Sequence, residues 1–132
     1  MKMIDKLAWI EIKNGKILST KSYGKEKYYI PGGKREDGES DIQALTREIS
    51  EELQVQLIPE SIRYMGTFEA QADSHPEGIL VKMTCYRAEY TGELKASAEI
   101  ERMEWLNYSD LDSVSAVDKI IFKQLKEQGE LL

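Results

Sequence analysis

The stretch from Ser40 to Val55 admits one regular structure, and it constrains the rest of the chain. Ile42, Leu45, Ile49 and Leu53 recur at spacings of three and four, the signature of a single buried helical stripe. Ser40 is a natural N-cap with Gln43 three residues on, as a capping box requires, and Asp41 suits the positive end of the helix dipole. The spacing predicts a helix over Asp41 to Leu53. Glu48, Glu51 and Glu52 are then neighbours, expected opposite the stripe. Like charges at such spacing cost roughly 0.2–0.5 kcal/mol per pair. Arg47 can offset part of this by pairing with Glu51. The remaining negative charge is what a hard divalent cation seeks in its oxygen ligands.

Strands are expected on both sides of this helix. Ile4 to Ile12 is mostly apolar, Asn14-Gly15 is a two-residue hairpin turn, and Lys16 to Ser22 should return. Tyr28-Tyr29-Ile30 is a short β-prone run, which Pro31-Gly32-Gly33 should break. Beyond the helix, Arg63 to Ala72, Ile79 to Tyr90 and Ile100 to Leu106 read as strands. In the second of these, Val81, Met83 and Cys85 share a face. A last helix is predicted over Val114 to Gln128, with Val117, Ile120, Ile121 and Leu125 inward. The order β-β-β-α-β-β-β-α predicts an α/β (α+β) class: an α/β/α sandwich with a mixed central sheet and a helix on each face. No repeat or linker divides the 132 residues, so one domain over 1–132 is expected.

Charge and cysteine content exclude several functions. A formal net charge of −6 argues against polymeric nucleic acid, whose binding relies on lysine and arginine. It does not exclude a small phosphorylated ligand, provided divalent metal lies between the two sets of negative charge. A lone cysteine, Cys85, permits no internal disulfide and suggests a reducing, cytoplasmic setting. No apolar run suits a secretory signal or a membrane span. His75 beside Pro76 reads as an exposed turn residue, and Trp9 and Trp105 as core.

The segment before the helix supplies a second half to the acidic cluster. Gly32-Gly33 lets backbone approach a ligand or expose a carbonyl. Glu39 lies just ahead of the N-cap, within reach of Arg47. Gly33, Glu39, Arg47, Glu48, Ile49, Glu51, Glu52 and Val55 together resemble the Nudix box, G-x5-E-x7-R-E-U-x-E-E-x-G-U, where U is bulky and aliphatic. Gln54 departs from it, standing where the second glycine is usual. A residue after a helix often turns left-handed, which costs a non-glycine on the order of 1 kcal/mol.

The resemblance implies a fold, an activity and roles. It implies a hydrolase dependent on Mg²⁺, with Mn²⁺ as substitute, that cuts a diphosphate linkage. Glu51 and Glu52 are similar to the central metal ligands, and Glu48 to a further ligand or a base acting through water. Glu39 and Arg47 resemble the pair that orients the cluster, and the Gly32 carbonyl a backbone ligand. An acidic residue from a later loop commonly joins; Glu99 resembles it, with Glu101 as competitor. Gly33, Lys34 and Arg35 are candidates for substrate contact, the latter two also readable as solvated loop charges. Tyr28 is a candidate base-stacking residue, as are Tyr23, Tyr29 and Phe68, each also readable as packing. Downstream markers of the ADP-ribose branch (a proline) and the dinucleoside polyphosphate branch (a tyrosine) are absent from Ala70-Gln71-Ala72. Gly32-Gly33-Lys34 and the short chain are more similar to the MutT-like branch, which acts on (deoxy)nucleoside triphosphates such as 8-oxo-dGTP. NDP-sugar hydrolysis and a nucleotide-binding module without turnover stay open. Homodimers are common in the family and are carried as an expectation.

Overall fold

The computed structural model describes residues 2–132. In chain order the elements are β1 (Lys2–Trp9), β2 (Ile12–Lys13), β3 (Lys16–Ser22), β4 (Gly32–Gly33), α1 (Asp41–Leu53), β5 (Gln56–Leu57), β6 (Arg63–Gln71), β7 (Ile79–Arg87), β8 (Tyr90–Thr91), β9 (Ile100–Leu106) and α2 (Ala116–Glu127). Short 3₁₀ turns, Pro59–Ser61 and Tyr108–Ser113, precede β6 and α2.

A four-stranded sheet in the order β4-β1-β7-β6 carries the site, and β2-β3-β9 forms a second sheet. The first is mixed: β1 runs parallel to β7 and antiparallel to β4. Alternation along β1 gives the sheet two faces. Leu7 and Trp9 pack with Ala44, Leu45, Ile49 and Leu53 of α1. Ala8 and Ile10 pack with Val117, Ile121, Phe122 and Leu125 of α2. A helix therefore covers each face, as the order of elements predicts. Among the described residues no helix is long and apolar enough to cross a membrane.

Local chemistry explains the boundaries. Asn14 and Gly15 both take positive φ (54° and 75°), the requirement of a tight hairpin whose twist matches its strands. The capping box at α1 is complete: Gln43 N–H donates to Ser40 Oγ at 3.2 Å, and Ser40 N–H to Gln43 Oε1 at 2.9 Å. Gln54 closes α1 in the left-handed region at φ 56°, its N–H donating to the Ser50 carbonyl. Its side chain donates to Ser97 Oγ at 3.0 Å, while Ser97 and Lys95 N–H groups cap the Glu52 and Leu53 carbonyls. A neighbouring loop thus ties off the helix end.

Four expectations are corrected. Gly32–Gly33 does not break regular structure but forms β4, because Gly32 at φ 152° brings its Cα against β1; a Cβ there would lie 2.0 Å from the Leu7 carbonyl oxygen. Tyr28 and Tyr29 make only isolated bridges, to Val114 and Thr20. Ile120 is 41% exposed, and Phe122 fills the inward place on α2. Ile42 is 42% exposed: in the first turn it lies in a surface depression with Thr46, Ser50 and Pro59, off the sheet-facing stripe.

Leu45→Ala should cost about 2–5 kcal/mol in urea unfolding, as a large core deletion does. Ile42→Ala should cost less than about 1 kcal/mol. Equal losses at the two positions would contradict the packing described.

Candidate active site

Arg47 organises the site. Its Nε and Nη2 grip Glu39 in a fork, at 2.7 and 2.9 Å. Nη2 also donates to the Lys34 carbonyl at 3.1 Å. Nη1 donates to Glu48 Oε1 at 2.6 Å and Glu51 Oε1 at 3.0 Å. One guanidinium therefore joins the loop before α1 to two of its glutamates. The fork, aided by the Glu36 N–H, holds the Glu39 carboxyl down at about 2, and the Glu39 contact leads in raising Arg47 further above its ordinary range.

The glutamates do not share one side of α1. At 100° per residue, Glu52 comes within about 20° of Leu45 in projection, inside the apolar stripe. It is only 7% exposed. Glu48 is partly buried beside it, its Oε2 so close to Gly33 that a Cβ there would lie 1.7 Å away. Glu51 points outward, its side chain half exposed, on the far side of Arg47. The expectation of three carboxylates opposite the stripe is corrected to two facing inward and one out.

Glu48, Glu52, Glu99 and the Gly32-Gly33 backbone line one cleft of about 280 Å³. Glu99 comes from the loop that ties off the end of α1. Glu101 faces away and pairs with Lys21 at 2.8 Å, so only one of the two competitors reaches the cleft. Burial leads in pushing Glu52 up to about 8; the Gly32 N–H, donating at 3.2 Å, pulls against it, and the negative charges of Glu99 and Glu48 add to the rise. Glu48 is also raised, by burial first, with Arg47 opposing.

Three substrate-contact candidates lie outside the cleft lining. Arg35 is drawn into ion pairs with Asp5 and Asp41 and does not line the cleft. Tyr28 packs against the α2-side core, with Arg102 over its ring. Lys34 is exposed, its side chain outside the cleft lining. Tyr29 lines the cleft instead, and His75 stands at its rim. Lys6 also lines it and was missed by sequence reasoning, although a lysine between Ile4 and Ala8 on one face of β1 is a visible break in pattern. Asp118, fully buried at the start of α2, accepts from the Ile30 N–H at 2.8 Å; its Oδ1 has no partner, and burial pushes it up to about 7.

Residues 6–125 match the NUDIX domain profile. The chain belongs to the Nudix family. Nudix hydrolases act on phosphorus-containing anhydrides in small molecules, generally with a divalent metal such as Mg²⁺. The uncharacterized Nudix hydrolase YvcI of Bacillus subtilis strain 168 is 26% identical over 87 residues, covering 66% of this chain and 55% of that protein. The match thus spans little more than half of that relative's length. Among solved structures, E. coli ORF135 superposes with a TM-score of 0.73 at 25% identity, over 96% of this chain and 92% of that one. The mutator MutT protein of Bacillus halodurans gives 0.69 at 27% identity, over 90% and 79%. The MutT Nudix hydrolase of Burkholderia pseudomallei gives 0.75 at 21% identity, over 95% and 99%, a likeness of fold alone.

The raised Glu52 pKa fixes the sign of a pH effect in the Nudix chain. A carboxyl at about 8 when folded, against an ordinary 4.5, binds its proton more tightly folded than unfolded. Its contribution is whole below about 4.5 and is lost as pH rises through 8. In chelator, wild type should lose several degrees of melting temperature between pH 6 and 9, and Glu52→Gln should lose clearly less. Equal pH slopes would refute the assignment. Gly33→Ala should displace Glu48 while leaving the circular dichroism spectrum native; hydrolysis at wild-type rate by a folded Gly33→Ala would contradict the packing of Glu48 on Gly33.

Proposed function

We propose that this Nudix domain is a metal-dependent hydrolase that cleaves a nucleotide diphosphate linkage. The substrate is a (deoxy)nucleoside triphosphate, with 8-oxo-dGTP among the class, and the products are the monophosphate and pyrophosphate. The supporting observation is the convergence of Glu48, Glu52 and Glu99 on Gly32-Gly33 at one cleft, with Glu52 buried. A purely structural helix gains nothing from buried carboxylates set beside one another.

The donor set fits a hard divalent cation. Its members are carboxylate and carbonyl oxygens, and Cys85, the one thiol, is buried away from it. Among the described residues no three acidic, histidine or cysteine side chains already close round one point, so binding would draw the carboxylates together. Glu48, Glu52, Glu99 and the Gly32 carbonyl would hold the cation, and Glu51 would join by turning from Arg47. When bound, Mg²⁺ or Mn²⁺ neutralises phosphate oxygens and makes water a better nucleophile.

The chain's own residues do the remainder. Arg47 holds Glu48 by one oxygen, leaving Oε2 against Gly33 to accept a proton from attacking water. Gly32 and Gly33, lacking Cβ atoms, let the phosphates approach the backbone. The interior of the cleft, walled by Tyr29, Ile30 and Val117, receives the nucleoside. The lone buried cysteine accords with a cytoplasmic setting.

A panel of nucleoside triphosphates, NDP-sugars and dinucleoside polyphosphates, assayed with Mg²⁺ from pH 7 to 9.5, tests the reading. Triphosphates should turn over fastest, releasing pyrophosphate. Glu52→Gln should stay folded and lose about 100-fold or more in kcat. Failure to cut any diphosphate would leave a binding module. Fastest cleavage of NDP-sugars would reassign the substrate.

A further inference from the structure

Lys6 is the cleft's anomaly. It projects from the floor, where its strand neighbours are Ile4 on β1 and Met83 on β7, with Val81 and Val117 close by. Lys6 is half-buried; a lysine drawn out of water usually finds a partner, yet Lys6 has no ion pair or hydrogen bond among the described residues. Its nearest aromatic is Tyr29, whose ring centre lies 5.8 Å from Nζ. Burial leads in lowering its pKa, Lys34 and Lys25 add to that, and Asp118 and Glu52 oppose. Asp118, buried outside the cleft lining, balances the charge without contacting it.

An ammonium on an apolar floor is costly unless a ligand supplies an acceptor. It carries three donors and no acceptor, so it favours a carbonyl oxygen and disfavours an amino group at the same place. The apolar floor and the Tyr29 ring suit the faces of a planar base, and Lys6 is placed to meet that base's edge. Glu48 and Glu52 reach Gly33 and Gly32 from the α1 side of β1, which leaves the phosphates to that side; Lys6, one residue along from the Leu7–Gly33 pair, shares the opposite face with Ile4 and Ala8, toward α2.

We propose that Lys6 is a specificity-determining residue that donates to a ring carbonyl oxygen of the nucleobase, making oxo-bases preferred over amino-bases. This deepens the proposed function and rests on it. A binding site built around a polar contact discriminates strongly against the analogue that lacks the matching group.

Inosine and adenosine triphosphates differ at this edge, carrying an oxo and an amino group. Wild type should favour inosine triphosphate by about 10- to 100-fold in kcat/KM, the range for a charged donor meeting an acceptor. Lys6→Met, similar in length and apolar, should bring the ratio toward one and melt at or above the wild-type temperature, since an unpaired, half-buried charge is removed. Lys6→Arg should retain part of the preference. Equal use of both nucleotides by wild type, or a preference unchanged in Lys6→Met, overturns the assignment while leaving the hydrolase reading intact. A uniform fall across all bases in Lys6→Met would place Lys6 on a phosphate instead, and also overturns it. Absence of hydrolysis on every nucleotide is a failure of the hydrolase reading, and a retained binding preference for inosine triphosphate over adenosine triphosphate would then still support the role of Lys6.

Discussion

The Glu39–Arg47 fork is the contact on which the site's geometry depends. A single guanidinium spans the loop before α1, through Glu39 and the Lys34 carbonyl, and the helix, through Glu48 and Glu51. It performs two tasks that otherwise conflict. It screens carboxylates that repel one another, and it holds the glycine backbone close to them. A lysine would offer a point charge; the planar fork reaches several acceptors in fixed directions. Glu39 in turn directs the arginine, which is why a residue outside the cleft lining belongs to the same unit.

Burial sets the second constraint. Glu52 lies in the helix's apolar stripe, where its charge is poorly solvated and is met by a long Gly32 N–H contact. The folded chain therefore carries a tension that neutral side chains would relieve. Such tension is characteristic of sites kept for chemistry at some cost in stability. Gly32 and Gly33 make it sterically feasible: one lies against the Leu7 carbonyl and the other against the Glu48 carboxylate, at distances no Cβ could share.

The cleft is polarised along its length. The α1 glutamates gather where β4 meets α1, while Ile4, Val81, Met83 and Val117 give the part toward α2 an apolar floor, with Lys6 on it and Asp73, His75 and Ser115 among its lining. On the proposed reading, this separates the handling of phosphates from the reading of the base. The two ends are built from different helices and can vary independently on one fold, which is why family membership leaves the substrate open.

Much of this was legible without coordinates. The stripe of Leu45, Ile49 and Leu53, the Ser40–Gln43 box and the Asn14-Gly15 turn are local features, each decided by residues within a turn of one another. They placed α1 at its observed bounds and the hairpin turn at Asn14-Gly15, but the first hairpin strand is only Ile12–Lys13, since the expected Ile4 to Ile12 strand ends at Trp9 and pairs with β4 and β7. The box residues were likewise readable, because their spacing is a property of the chain. What local reasoning could not settle was orientation against the rest of the molecule. Ile42 carries the same apolar chemistry as Ile49, but only contact with the sheet buries one and leaves the other exposed. Gly32-Gly33 looked like a break because its partner strand is distant in sequence. Whether Glu99 or Glu101 faces the cleft depended on Lys21, far along the chain. Arg35 and Tyr28 were diverted by Asp5 and the α2-side core in the same way. Sequence determined which groups the chain possesses and how its helices and tight turns begin and end. Tertiary structure decided which of those groups meet, since burial and long-range pairing depend on neighbours that no local pattern specifies.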